Sequence, residues 1–178
     1  MKSYLTSLAL ACAAMAPLSV SACPGHDHDH ADHAHHEHKS HAKAAFGDAA
    51  TAAAPAGVAI SACWIRAMPN RLPSAGYFKI HNGGAHDAVL IGAQSKAFSK
   101  VMLHATQTSD GMTTMVHADK VELPAGANFE FAPGGHHVML EQPTAELPIG
   151  KTLPISFWFE GGRALTVDCE VRSPSTVK

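Results

Sequence analysis

Val101-Met102-Leu103-His104-Ala105-Thr106-Gln107, then Thr108-Ser109-Asp110-Gly111, then Met112-Thr113-Thr114-Met115-Val116-His117: the reading of this stretch decides the fold class. Two short extended runs flank an Asp-Gly turn, which is a strong local signal for a β-hairpin. The same grammar repeats on both sides. Towards the C-terminus, Asn128–Phe131 follows Pro124-Ala125-Gly126, and Pro133-Gly134-Gly135 precedes His137–Leu140. Gly161-Gly162 then joins Leu153–Glu160 to Ala164–Val171. Towards the N-terminus lie Ala88–Ala93, Tyr77–Ile80 after the break at Pro73-Ser74, and Val58–Met68. Many short strands with turns at regular spacing read as an all-β sandwich or barrel. Only Ser95–Lys100 suggests a helical turn, and no internal repeat is visible.

The 178 residues suit one domain with appendages. Charged residues make up 16%, with a formal net charge of −2, which excludes a nucleic-acid binder that works through a basic face. The 14 His and 7 Met stand out, because both bind metals and Met selects soft ones. Lys2 followed by the apolar run Leu5–Val20 reads as an export signal over residues 1–22. No other apolar run is long enough to span a membrane. Two processing readings stay open. Val20-Ser21-Ala22 suits ordinary signal peptidase, and Val20-Ser21-Ala22-Cys23 resembles a lipobox in which Cys23 is lipidated. Either one places the chain in a periplasmic or other extracytoplasmic compartment, touching the membrane only through a lipid anchor.

Residues 23–56 read as a disordered tract and linker. The tract carries His26, His28, His30, His33, His35, His36, His38 and His41 among Asp27, Asp29, Asp32 and Glu37. It has no aliphatic residue larger than Ala, so it cannot bury enough surface to fold alone. Its composition suits capture of Cu(II) or Zn(II) at neutral pH. Ala42–Pro55 is Ala-rich and reads as a linker. The folded domain is expected over residues 57–172, with a short tail over 173–178.

Inside the domain, His137 and Met139 are two apart on an expected strand, so both side chains share a face. His104 lies near the end of one strand and Met115 on the strand after the turn, and a hairpin can bring them together. Two pairs, each of one imidazole and one thioether, give a neutral set of two nitrogens and two sulfurs. Thioethers are soft, so this set favours Cu(I). A structural zinc site would use Cys thiolates. A blue-copper site would need a Cys ligand near His and Met, and Cys169 has neither after it. Met112 has the opposite parity to Met115, and His136 points away from His137. Met102 shares the parity of His104 and reads as a spare ligand or a core side chain. His81, His86 and His117 read as solvated residues at strand ends or in loops. Cys63 and Cys169, on the first and last strands, are candidates for a disulfide, with two buried thiols as the alternative. No nucleophile–base arrangement is visible, so no enzymatic activity is expected.

The spacing His104-x10-Met115-x21-His137-x-Met139 resembles the copper motif of the periplasmic PCu(A)C chaperones. The flanks agree: Asp110-Gly111, Leu123-Pro124-Ala125-Gly126, and Phe131-Ala132-Pro133-Gly134-Gly135-His136-His137-Val138-Met139-Leu140. The likeness covers Val58 to Val171. It implies a cupredoxin-like Greek-key β-sandwich that delivers Cu(I) to the copper centre of a cytochrome oxidase subunit or to its assembly factor. Two departures stand out. Ala105-Thr106 follows His104 where the family often has a Met, and the His-rich tract precedes the domain instead of following it. The rival function is metal sequestration dominated by that tract. The ligands are expected on loops at one end of the sandwich, where functional residues gather.

Overall fold

The computed structural model describes residues 46–69 and 72–177. Residues 1–22, read as an export signal, and Cys23 and the eight tract histidines fall outside the described residues. Among the described residues there are ten strands and no helix. They are β1 (Val58–Arg66), β2 (Ser74–Asn82), β3 (Ala88–Gln94), β4 (Phe98–Ser109), β5 (Met112–His117), β6 (Val121–Leu123), β7 (Asn128–Phe131), β8 (His137–Pro143), β9 (Thr152–Phe159) and β10 (Arg163–Arg172).

The hydrogen-bonded path runs β5-β4-β8-β2-β1-β10-β9-β3-β6, with β7 beside β2. Among the described residues only β1 and β10 pair in parallel. Strands far apart on this path pack face to face. Phe78 of β2 stacks on Phe131 at 4.2 Å and meets Phe157 of β9 at 4.5 Å. Around these rings Ile65, Leu90, Leu103, Leu123, Val138, Leu140 and Ile155 are fully or almost fully buried. Each buried aliphatic or aromatic side chain contributes on the order of 1.5–3 kcal/mol. The result is an all-β sandwich, as the run of short strands and turns predicts.

Strand alternation divides β4 and β8 between two environments. Leu103, Ala105, Val138 and Leu140 are buried, while Met102, His104 and Met139 on the opposite parity are only half-buried. β1 changes sides part-way. Its pairing with β2 skips between Ser61 and Trp64, and Ala62 there takes φ 51°. The extra residue is a β-bulge, which switches which side chains face inward. Cys63 and Ile65 therefore follow Ile60 into the core, and Trp64 joins Tyr77 on the other face, with ring centroids 4.6 Å apart. Cys63 is disulfide-bonded to Cys169 of β10, with Cα atoms 4.5 Å apart.

Two expectations need correction. Ser95–Lys100 holds no helical turn: β3 ends at Gln94, a tight turn follows, and β4 starts at Phe98. Ser95 Oγ accepts a hydrogen bond from Ala97 N in that turn. The folded unit also starts before Gly57. Phe46 stacks on Trp158 at 5.3 Å, Pro55 is buried, and Ala164 N donates to Ala53 O. A Cβ at Gly92 would collide with the Phe46 ring, so the missing side chain makes the seat for that ring. An isolated aromatic in an Ala-rich run has no period to reveal it, yet burying the ring holds residues 46–56 against the sandwich.

Candidate metal site

The two-residue turn Asp110-Gly111 sets the register of the β4–β5 hairpin. Asp110 and Gly111 both have positive φ, as a tight hairpin turn requires. Ser109 then pairs with Met112, Thr106 with Met115, and His104 with His117. On its other edge β4 pairs with β8, setting His104 opposite His137 and Met102 opposite Met139. Residues directly opposite in an antiparallel pair share a face. His117, His104 and His137 thus form a row across three strands. Met102 and Met139 lie in the next row on one side, and Met115, opposite Thr106, in the next row on the other.

The four expected ligands are thus placed on one sheet face. His104 and His137 are direct neighbours, with ring centroids 5.7 Å apart. Met139 is two residues from His137 on β8, and Met115 is one diagonal step from His104. Met115 is 58% exposed on the part of the hairpin that runs past the start of β8. The expectation that loops carry the ligands is corrected, since all four lie on strands. His117 is the exposed last residue of β5, as expected, and its cross-strand partner is the new finding. It directly faces His104, with ring centroids 5.9 Å apart. Met102 lies opposite Met139 on the outer face and is not a core residue. Met112 and His136 lie off this face, and His136 packs edge-on against Phe129 and Phe131.

One backbone contact orients the His137 imidazole. Gly134, at φ 85°, makes the turn after Pro133. The Gly135 carbonyl then accepts from Thr106 N at 3.3 Å and faces His137 Nδ1 at 3.2 Å. A carbonyl only accepts, so Nδ1 of His137 is the donor in this contact, which leaves Nε2 as the ring nitrogen available to a metal. Nδ1 of His104 is buried without a hydrogen-bond partner. A buried unpaired polar atom costs about 1–3 kcal/mol, which a bound cation could offset. Burial first, then the neighbouring His137 and His117, lowers the His104 pKa below its ordinary value of 6.5. The ring is therefore neutral at pH 7. Lys100 and Glu141 pair at 3.0 Å beyond Met102 and Met139. Tyr77, whose pKa is raised mainly by burial, lies 6.5 Å from His137. The arrangement gathers imidazole nitrogens and thioether sulfurs on one face of the sheet.

Fold and site together define a cupredoxin-like domain with a His/Met cluster on the outer face of one sheet. Residues 58–171 match the family described as "Putative lipoprotein LpqE-like", and the chain belongs to that family. It is 33% identical over 117 residues to "Putative lipoprotein Lxx21020" of Leifsonia xyli subsp. xyli, covering 65% of this chain and 70% of that protein. Among solved structures it is similar to the copper-bound PCuAC domain from PmoF2, at TM-score 0.57 and 26% identity, covering 69% of this chain and 98% of that one. It is also similar to Cu(I)-DR1885 of Deinococcus radiodurans, at TM-score 0.55 and 27% identity, covering 70% of this chain and 83% of that one.

Proposed function

We propose that this domain is an extracytoplasmic Cu(I) metallochaperone that holds one ion through His104, Met115, His137 and Met139 and passes it to an acceptor protein. The observation that carries this reading is the strand register: His104 stands opposite His137, with Met139 and Met115 one step away on the same face. The likeness to copper-bound PCuAC structures supports copper as the cargo. His137 is pinned by Gly135, while Met115 remains exposed. An acceptor's ligands could therefore enter from the hairpin side and displace a thioether first. The set has no thiolate, so a Cys-containing acceptor holds Cu(I) more tightly and transfer runs towards it. The copper centre of a respiratory oxidase, or its assembly factor, is such an acceptor.

A Cu(I) competition assay on the full chain tests the ligand set. Replacing both Met115 and Met139 with Ala should weaken the tight site by roughly a hundredfold, about tenfold for each lost donor, and leave the fold intact. Binding like that of the unmodified chain would overturn the assignment. Mixing the Cu(I)-loaded chain with an apo oxidase copper domain should then move copper to the acceptor. Copper retained on this chain would favour sequestration instead.

A further inference from the structure

We propose that His117, His104 and His137 form a three-imidazole row that takes Cu(II), beside the Cu(I) set and sharing two of its histidines. This rests on the reading that His104 and His137 are copper ligands, and adds a second oxidation state and a further ligand. The three residues are direct cross-strand partners on β5, β4 and β8. Their neighbouring rings lie 5.9 and 5.7 Å apart between centroids. A metal about 2 Å from a ring nitrogen sits about 3 Å from the ring centre, so two rings ligating one ion stand roughly 5–6 Å apart.

Donor type separates the two modes. The row contains only imidazoles, while the sulfurs of Met102, Met139 and Met115 occupy the rows beside it. Nitrogen and oxygen donors in a tetragonal arrangement suit Cu(II), and thioethers suit Cu(I). Oxygen is at hand, since Asp119 Oδ1 lies 3.4 Å from His117 Nε2. A cleft of about 980 Å³ reaches His117 and Asp119, though not His104 or His137, so water has access to the β5 end of the row. Among the described residues, no three His, Cys, Asp or Glu side chains already converge on one point. His117 must therefore turn from Asp119 towards His104, and its place at the exposed end of β5 leaves room for that movement. His104 Nδ1 is buried without a hydrogen-bond partner, so His104 has a nitrogen that no protein group satisfies.

The test uses the full chain with the eight tract histidines changed to serine, so that the tract adds no Cu(II) signal. One equivalent of Cu(II) should give a tetragonal electron paramagnetic resonance spectrum with coupling to three nitrogens. His117→Gln should reduce this to two and weaken Cu(II) binding by at least about tenfold, while Cu(I) affinity stays within about threefold. Circular dichroism verifies that the variant is folded, as expected for an exposed side chain. Changing Met115 and Met139 to Ala should give the reverse pattern, with Cu(I) weakened and Cu(II) kept. An unchanged Cu(II) spectrum in His117→Gln overturns the proposal. So does an equal loss of Cu(I) and Cu(II), which would place His117 in one shared site. Cu(I) binding that survives the double Met change sinks the metallochaperone assignment and leaves the His117 comparison readable.

Discussion

Met102 and Leu103 are neighbours in the chain and serve opposite sides of it. Leu103 is 2% exposed against the phenylalanine core, while Met102 faces Met139 in the row beside the histidines. Val138 and Met139 repeat the division on β8. The inner face is an apolar core that holds the sheets together, and the outer face gathers nitrogen and sulfur donors at the spacing the sheet imposes. The difference teaches that one strand pairing specifies both stability and chemistry. The two side-chain sets are interleaved, so each can change without the other.

The largest expected effect comes from the inner face. The disulfide joins residues 106 apart, and a loop of that length gives about 4–5 kcal/mol in the chain-entropy account. Replacing Cys63 and Cys169 with Ser should lower the free energy of unfolding by about that amount in denaturant titrations. Copper stoichiometry of the folded fraction should not change. If it falls, the two faces are coupled through the sheet and the division fails. The next contrast sharpens it. Leu103→Ala should cost about 3 kcal/mol, the usual range for a buried Leu. Met102→Ala, one position along, should cost nearer to about 1 kcal/mol, because its side chain is only partly buried. Equal costs would show the outer row to be core as well.

The smallest effect is a pH dependence. His104 resists protonation because it is partly buried and faces His137 and His117, with Lys100 acting in the same direction and Glu141 opposing. The unfolded chain therefore binds this proton at higher pH than the folded one. Stability should fall as pH drops through about 6.5, the ordinary histidine value, and this contribution should level off below the folded pKa. Imidazole NMR on the metal-free chain should give His104 a midpoint below 6.5. A midpoint at or above 6.5 would break the account of its environment.

Much of this was legible in the sequence. The Asp110-Gly111 turn announced the β4–β5 hairpin, and two-residue spacing put His137 and Met139 on one face. The pairing of His117 with His104 was legible too. With a two-residue turn, counting outward from Ser109 and Met112 reaches His104 and His117 as partners. Other features had no local signal. The alignment of Met102 with Met139 depends on β4–β8 pairing, which joins segments well separated in the chain. β6 is three residues long, too short to show alternation. The packing of Phe46 becomes visible only when Gly92 and Trp158 are brought beneath it.

The bulge at Ala62 works like a missed step in a march. Up to Ser61, β1 and β2 keep one beat, and after it the same strand keeps the other, without any change of direction. Cys63 lands on the beat of Cys169, and Trp64 lands on that of Tyr77. Deleting that single residue would leave composition and hydropathy almost untouched, yet put every later side chain of β1 on the wrong foot. The thiol would turn outward, the indole would turn into a core already filled by phenylalanines, and the aromatic wall beside His137 would lose its end. Counting, as much as chemistry, keeps the two faces apart.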